Sequence, residues 1–147
     1  MSLPRLFTFA FLPAVFLAVT LVVAPTPSGA QVAMPACQTD YLSMARLELY
    51  FGTTKKDGST VSDAAWSNFL DEEVTPRFPD GLTVLRGYGQ WRNSQGVIAK
   101  EGSIVLVILY FPSEESESKI EDIRAAYKDR FDQESVMRVD SANCVSF

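Results

Sequence analysis

The sequence predicts an α+β domain, on the evidence of four strand-like segments, two amphipathic helical segments and the order in which they follow one another. The strand-like segments show alternating or continuous apolar residues, and the helical segments repeat apolar residues every three or four positions. Their order is strand, helix, strand, strand, helix, strand. This order is typical of a ferredoxin-like βαββαβ sandwich, in which a four-stranded antiparallel sheet carries two helices on one face.

The first strand and the first helix are predicted in the N-terminal half of the domain. Residues 45–51 alternate apolar and polar side chains, which predicts a strand with one buried face. Ser62 can cap the helix that follows, and Val61 and Trp66 have the spacing of a hydrophobic staple. Pro76 cannot continue a helix, so we expect the first helix to end before it.

The C-terminal half of the domain supplies three strands and the second helix. Residues 82–92 predict the second strand, and the polar turn at 93–96 leads to an apolar run at 103–111 that is typical of a central strand. Ser113 precedes an acidic segment whose apolar residues then recur at helical spacing, which predicts a helix with its negative charges at the N-terminal end. Residues 135–139 alternate again and predict the last strand.

The N-terminal segment has the features of a signal peptide. Arg5 precedes an uncharged, largely apolar stretch at 6–24, and the small residues that follow predict cleavage after Ala30. The predicted organisation is a signal peptide at 1–30, an N-terminal extension at 31–44 and the ferredoxin-like domain at 45–147. We expect export to the periplasm or the medium, and an uncleaved membrane anchor at 6–24 is the alternative.

Charge and composition exclude several classes of function. The chain has a net charge of −5, which disfavours binding to nucleic acids, and contact with a membrane is expected through the signal segment only. It contains no histidine, which excludes histidine-based triads, histidine metal sites and the most common general base. The sequence has no phosphate-binding loop, nucleophile elbow or paired-cysteine motif, so we expect neither a metal nor another cofactor.

The two cysteines of the chain are Cys37 and Cys144. In the predicted fold the last strand lies antiparallel beside the first, so both cysteines lie at the same end of the sheet. A register that places them directly opposite each other would pair Ala45 with Val136. We therefore expect a disulfide bond, which an exported protein can form. Lipidation of Cys37 and two free thiols are the alternatives.

The open face of the predicted sheet carries the candidate binding residues. The helices are expected to cover the face of the first strand that bears Leu47, which leaves Tyr50 on the open face. In the second strand Gly87 and Gly89 suit the helix side, because glycines permit close approach of a helix. The predicted cluster on the open face is Tyr50, Arg86, Tyr88, Gln90, Arg92 and Arg138.

Arginine and tyrosine in this cluster suit an anion. The guanidinium group binds carboxylates with two parallel hydrogen bonds, so the cluster predicts a site for a small anionic ligand. A homodimer formed through the open sheet face and a plain solvated surface are the alternatives.

Arg77 and Asp80 lie in a turn that two prolines make rigid. The simple interpretation is the end of a helix followed by a tight turn, with Phe78 buried. The functional interpretation places Arg77 and Asp80 as a preset pair at the rim of the sheet.

Several motifs resemble a bacterial family of exported proteins known as domain of unknown function 3574. They are TPRFPDGLTV at 75–84, YGQWR at 88–92 and the C-terminal residues from Arg138 to Phe147. The resemblance covers about residue 45 to the end of the chain. It implies export and the limits of the domain, and it implies no catalytic residues.

The predicted function is a small exported domain that binds a ligand or another protein without catalysis. The alternative is a small metal-free enzyme of the dimeric α+β barrel kind, in which two sheets enclose a pocket. In that alternative Arg86, Tyr88 and Arg138 would polarise an anionic substrate.

Overall fold

A computed structural model describes residues 36–147 of the protein. Its elements are β1 (Leu42–Gly52), α1 (Asp63–Phe69), a π-helical turn (Leu70–Val74), β2 (Thr83–Arg92), β3 (Ile98–Tyr110), α2 (Glu114–Phe131) and β4 (Met137–Val145). The four strands form one sheet in the order β2, β3, β1, β4, and all neighbouring strands are antiparallel. The predicted α+β arrangement is confirmed, and the strand order is that of a ferredoxin-like fold.

The first helix begins where the sequence predicts and ends before Pro76, as expected, but its last turn is π-helical. The Ser62 side chain accepts a hydrogen bond from the Ala65 N–H at 3.2 Å, so it is the N-cap. After Phe69 the backbone widens into the π-helical turn, which continues to Val74 and places that side chain in the core. Pro76 follows directly and prevents further helix.

The second helix has a complete capping box. The Ser113 hydroxyl accepts from the Ser116 N–H, and the Ser116 hydroxyl accepts from the Ser113 N–H. Asp132 ends the helix in the left-handed conformation, with φ of 52°. The buried side of α2 carries Ser116, Ile120, Ile123, Tyr127 and Phe131, and these residues face the sheet.

Aromatic side chains dominate the core between the sheet and the helices. Phe51 of β1 contacts the rings of Trp66, Phe69 and Tyr127 edge to face, with ring centroids 4.5 to 6.1 Å apart. The Tyr127 hydroxyl donates to the Gly52 carbonyl at 2.8 Å. Burial, and next the charge of Glu101, raise the pKa of Tyr127, so this phenol stays protonated as a donor.

The predicted disulfide between Cys37 and Cys144 is present, with 5.5 Å between the two Cα atoms. The sulfur of Cys37 is therefore bonded to Cys144, so both the lipidated form and the free thiols are wrong for this structure. A disulfide of this kind is typical of exported proteins.

No helix within residues 36–147 is long and apolar enough to cross a membrane. The predicted signal peptide, its cleavage site and the alternative anchor at 6–24 lie outside the described residues.

The register predicted from the cysteines is wrong. Ala45 pairs with Ala142, whereas Val136 lies just before β4. The predicted register placed the cysteines directly opposite each other, yet the strand position opposite Cys144 is occupied by Ser43. Cys37 reaches its partner from the irregular segment ahead of the turn that precedes β1. Asp140, Ser141 and Asn143 interrupt the apolar pattern in the rest of β4, so apolar alternation marked only its beginning.

Removing the disulfide should destabilise the domain substantially. The bond closes a loop with a sequence separation of 107 residues, and it constrains the unfolded chain. We expect replacement of both Cys37 and Cys144 by serine to lower the free energy of unfolding by about 2–5 kcal/mol, measured by urea denaturation. Reduction of the parent protein should reproduce the loss, and equal stability of variant and parent would contradict this role.

Candidate functional site

Strand pairing determines which side chains share a face of the sheet, because residues directly opposite each other project to the same side. Leu106 of β3 lies opposite Leu49 of β1 and also opposite Val84 of β2. Ile104 of β3 likewise lies opposite Phe51 of β1 on one side and opposite Arg86 of β2 on the other. Since Leu49 and Phe51 are buried beneath the helices, the even-numbered residues of β2 face the helix side.

The predicted ligand cluster is therefore divided between the two faces. Tyr50 lies on the open face as predicted, opposite Val105 and Met137. The placement of the other five on that face is wrong: Arg86, Tyr88, Gln90, Arg92 and Arg138 lie on the helix side. The prediction failed because β2 is an edge strand whose two faces both extend beyond the helices. Leu85 and Tyr88, on opposite faces, are 53% and 66% exposed.

Two of the predicted binding arginines connect helices to the sheet instead. Arg86 forms an ion pair of 2.9 Å with Asp63 at the start of α1. Arg138 contacts Glu117 of α2 at 2.6 Å and Asp140 of its own strand at 2.7 Å. The hydrogen bonds that Arg138 donates to the Glu117 carboxylate contribute most to raising the pKa of Arg138. These contacts show that Arg138 attaches α2 to β4.

The candidate rim residues lie at the other end of the sheet. Arg77 donates from Nη1 to the backbone carbonyl and the carboxylate of Glu73, at 2.6 and 2.9 Å. Phe78 is buried, as the simple interpretation of this turn predicts. Arg77 and Asp80 both line a shallow cavity of about 500 Å³, apart from Tyr50. Arg77 thus satisfies a carbonyl near the end of the helical segment.

A second cavity, of about 320 Å³, opens on the sheet face that the helices leave uncovered. Its lining combines residues with small or absent side chains and residues with larger side chains. We call it the open-face cavity. The residues that line it are Tyr50, Gly52, Gly89, Gln90, Trp91, Glu101, Ser103, Gln133, Ser135 and Met137.

Glu101 is the charged group of the open-face cavity and is 8% exposed. Its carboxylate accepts hydrogen bonds from Nε1 of Trp91 at 2.5 Å and from the Thr54 N–H at 2.9 Å. A Cβ atom on Gly52 would lie 2.6 Å from both carboxylate oxygens, so only glycine leaves room for this arrangement. A partly desolvated carboxylate with two fixed donors still has lone pairs for a ligand.

Tyr50 belongs to a row of polar residues along the open side of β1. Its hydroxyl donates to the Glu48 carboxylate at 2.6 Å, and Nε of Arg46 donates to the same carboxylate at 2.9 Å. The hydrogen bond donated by Tyr50, and next the one donated by Arg46, lower the pKa of Glu48. The bond between Tyr50 and Glu48 also raises the pKa of Tyr50. At neutral pH Glu48 is ionised and Tyr50 is a neutral hydrogen-bond donor.

Gly89 keeps the cavity open without a backbone requirement for glycine. Its φ is not positive, and a Cβ atom there would meet Ser103 Cβ at 3.6 Å, an ordinary contact. Glycine within a strand costs stability. We therefore attribute its presence to the space above it, which a larger side chain would fill.

Sequence reasoning missed Glu101, Trp91 and Gly89. The alternation in YGQWR does place Gly89 and Trp91 on one face, but their face was assigned to the helices. Within residues 36–147 no group of three or more His, Cys, Asp or Glu residues is arranged to hold a metal ion.

Comparison with known proteins gives a family and a fold. The profile of a family described as "Protein of unknown function (DUF3574)" matches residues 46–147. No curated protein matches. A phage SAM lyase in complex with S-methyl-5′-thioadenosine has a TM-score of 0.57 and 13% identity, covering 71% of this chain and 90% of the lyase. Its apo state has a TM-score of 0.47 and 13% identity, over 78% and 97% of the two chains.

The two glycines of the cavity should respond oppositely to alanine. Gly52→Ala displaces the Glu101 carboxylate from its two donors, so we expect the free energy of unfolding to fall by about 1–3 kcal/mol. Gly89→Ala has room for its methyl group, so we expect no loss and a gain of up to about 1 kcal/mol. Urea denaturation of both variants measures this difference, and equal effects would contradict the described geometry.

Proposed function

We propose that this chain, which belongs to the DUF3574 family, is an exported domain that binds a small organic cation in the open-face cavity. The ligand would place a protonated amine or similar cationic donor against Glu101 and an apolar group between Trp91 and Met137. The buried carboxylate of Glu101 at an apolar cavity is the observation that carries the proposal. Cavities of this volume are within the range of small-molecule sites.

The charges around the cavity favour a cation over the anion that the sequence suggested. None of the residues that line it in the described part of the chain is a lysine or an arginine. Glu48 accepts a hydrogen bond from Tyr50, which lines the cavity, and adds a second negative charge that Arg46 partly balances. Trp91 adds an aromatic surface, which attracts cations through its π electrons. Arg86, Arg92 and Arg138, the arginines that the sequence suggested for an anion, lie on the opposite face of the sheet.

Export is part of the proposal. The uncharged N-terminal stretch predicts a signal peptide, and the disulfide between Cys37 and Cys144 is compatible with an oxidising compartment. A periplasmic or secreted binding domain would meet its ligand in that compartment.

The enzyme alternative loses the residues on which it depended. Arg86, Tyr88 and Arg138 are on the helix side and do not approach Tyr50 across the open face. A phage SAM lyase shares the fold, and the likeness extends to the fold alone. S-adenosylmethionine is nevertheless an organic cation, so it is a suitable probe for both binding and turnover.

The proposal predicts selective binding of an aromatic amine. Phenethylammonium and phenylacetate share a ring and differ in charge, so isothermal titration with each separates charge from shape. We expect the natively exported protein to bind phenethylammonium and not phenylacetate. Glu101→Gln should weaken binding by about 10- to 100-fold, because the charge-assisted hydrogen bond is lost.

Two variants complete this test. Gly89→Val fills the cavity and should abolish binding, while Glu114→Gln removes an exposed carboxylate from α2 and should have no effect. Equal binding by the parent and Glu101→Gln, preference for phenylacetate, or absence of binding by any probe would overturn the proposal. Conversion of S-adenosylmethionine to S-methyl-5′-thioadenosine would replace it with a catalytic function.

A further inference from the structure

We infer that a second copy of this chain covers the middle of the open sheet face, in a dimer with two-fold symmetry. The open face carries no helix, so apolar side chains on it are exposed to solvent. Leu42, Leu85, Met137 and Val139 are each more than 40% exposed. Val105, Val107 and Leu109 lie among them on β3 and are partly buried. A soluble domain that leaves such a band uncovered pays for it in stability or aggregation, so the band requires a partner.

Charge on the same face selects a second copy as that partner. Arg46 and Glu48 lie two residues apart on the open side of β1, with opposite charge. A two-fold axis at Leu47, between them, would place each arginine opposite Glu48 of the partner subunit and each glutamate opposite Arg46 of the partner subunit. An interface of this kind uses the same patch on both copies, so a self-complementary pattern is what it requires.

The hydrogen bonding of Arg46 leaves it available for this contact. Only its Nε donates to Glu48, at 2.9 Å, and its two Nη groups donate no hydrogen bond within the described part of the chain. The guanidinium group has five donors in a fixed fork and can therefore bind two carboxylates at once. In the dimer each charge would remain paired, which a buried charge needs.

The position of the axis also explains how the dimer and the ligand site can share one face. Leu47 is the middle residue of β1, which spans Leu42–Gly52, so the two copies of this strand would cross at their midpoints. The open-face cavity lies toward the Gly52 end, away from the axis. Each copy would keep one cavity at the margin of the contact.

Charge reversal tests this inference through the mass of the natively exported protein, measured by sedimentation. We expect a dimer, and we expect Arg46→Glu and Glu48→Arg, each alone, to weaken association by about 100-fold or more, because each places like charges opposite one another. Mixing the two variants should restore a dimer, since every contact in the mixed pair joins opposite charges. Circular dichroism of each variant verifies that it is folded.

The matched control is Arg92→Glu, which reverses an arginine on the opposite face of the same sheet and should leave the dimer unchanged. Glu101→Gln should also leave it unchanged, so a failure of ligand binding and a failure of dimerisation are separate results. A monomer at every concentration, association unaffected by Arg46→Glu, or no dimer in the mixture would overturn the inference.

Discussion

Pairing of β3 with β1 on one side and with β2 on the other determines which residues of these three strands share a face of the sheet. Leu47, Leu49 and Phe51 are fully buried against the helices, and the residues opposite them on β3 follow the same side. A shift of one residue in either pairing would move every side chain to the other face. The aromatic core, the arginines that hold the helices and the cavity on the open face all depend on this register.

The residues of the open-face cavity reduce local stability, and in return they leave space and a buried negative charge on this face. Because Gly52 has no side chain, the Glu101 carboxylate can lie against the strand. Trp91 and Thr54 donate the hydrogen bonds that a desolvated carboxylate needs. Gly89 lines the cavity at a position where a small side chain would also fit. A structure built only for stability would have filled this space, which supports a binding role for the residues around it.

Sequence patterns predicted the elements better than their faces. Period-two alternation in β1 is unambiguous because one side is wholly buried, and the caps of both helices follow from Ser62 and Ser113. In β2 apolar, charged and glycine residues occupy both sides of an edge strand, so alternation does not indicate which side meets the helices. Cys37 and Cys144 predicted a bond correctly, and the assumption that bonded cysteines lie directly opposite each other gave the wrong register.

The most direct test of the face assignment is the environment of the Trp91 side chain, measured by nuclear Overhauser effects in the natively exported protein. With Trp91 on the open face, we expect contacts from its indole N–H to the Glu101 side chain. Contacts from the same indole to α1 or α2 would place the odd-numbered residues of β2 beneath the helices. That result would contradict the face assignment, and with it both the open-face cavity and the cationic ligand proposed for it.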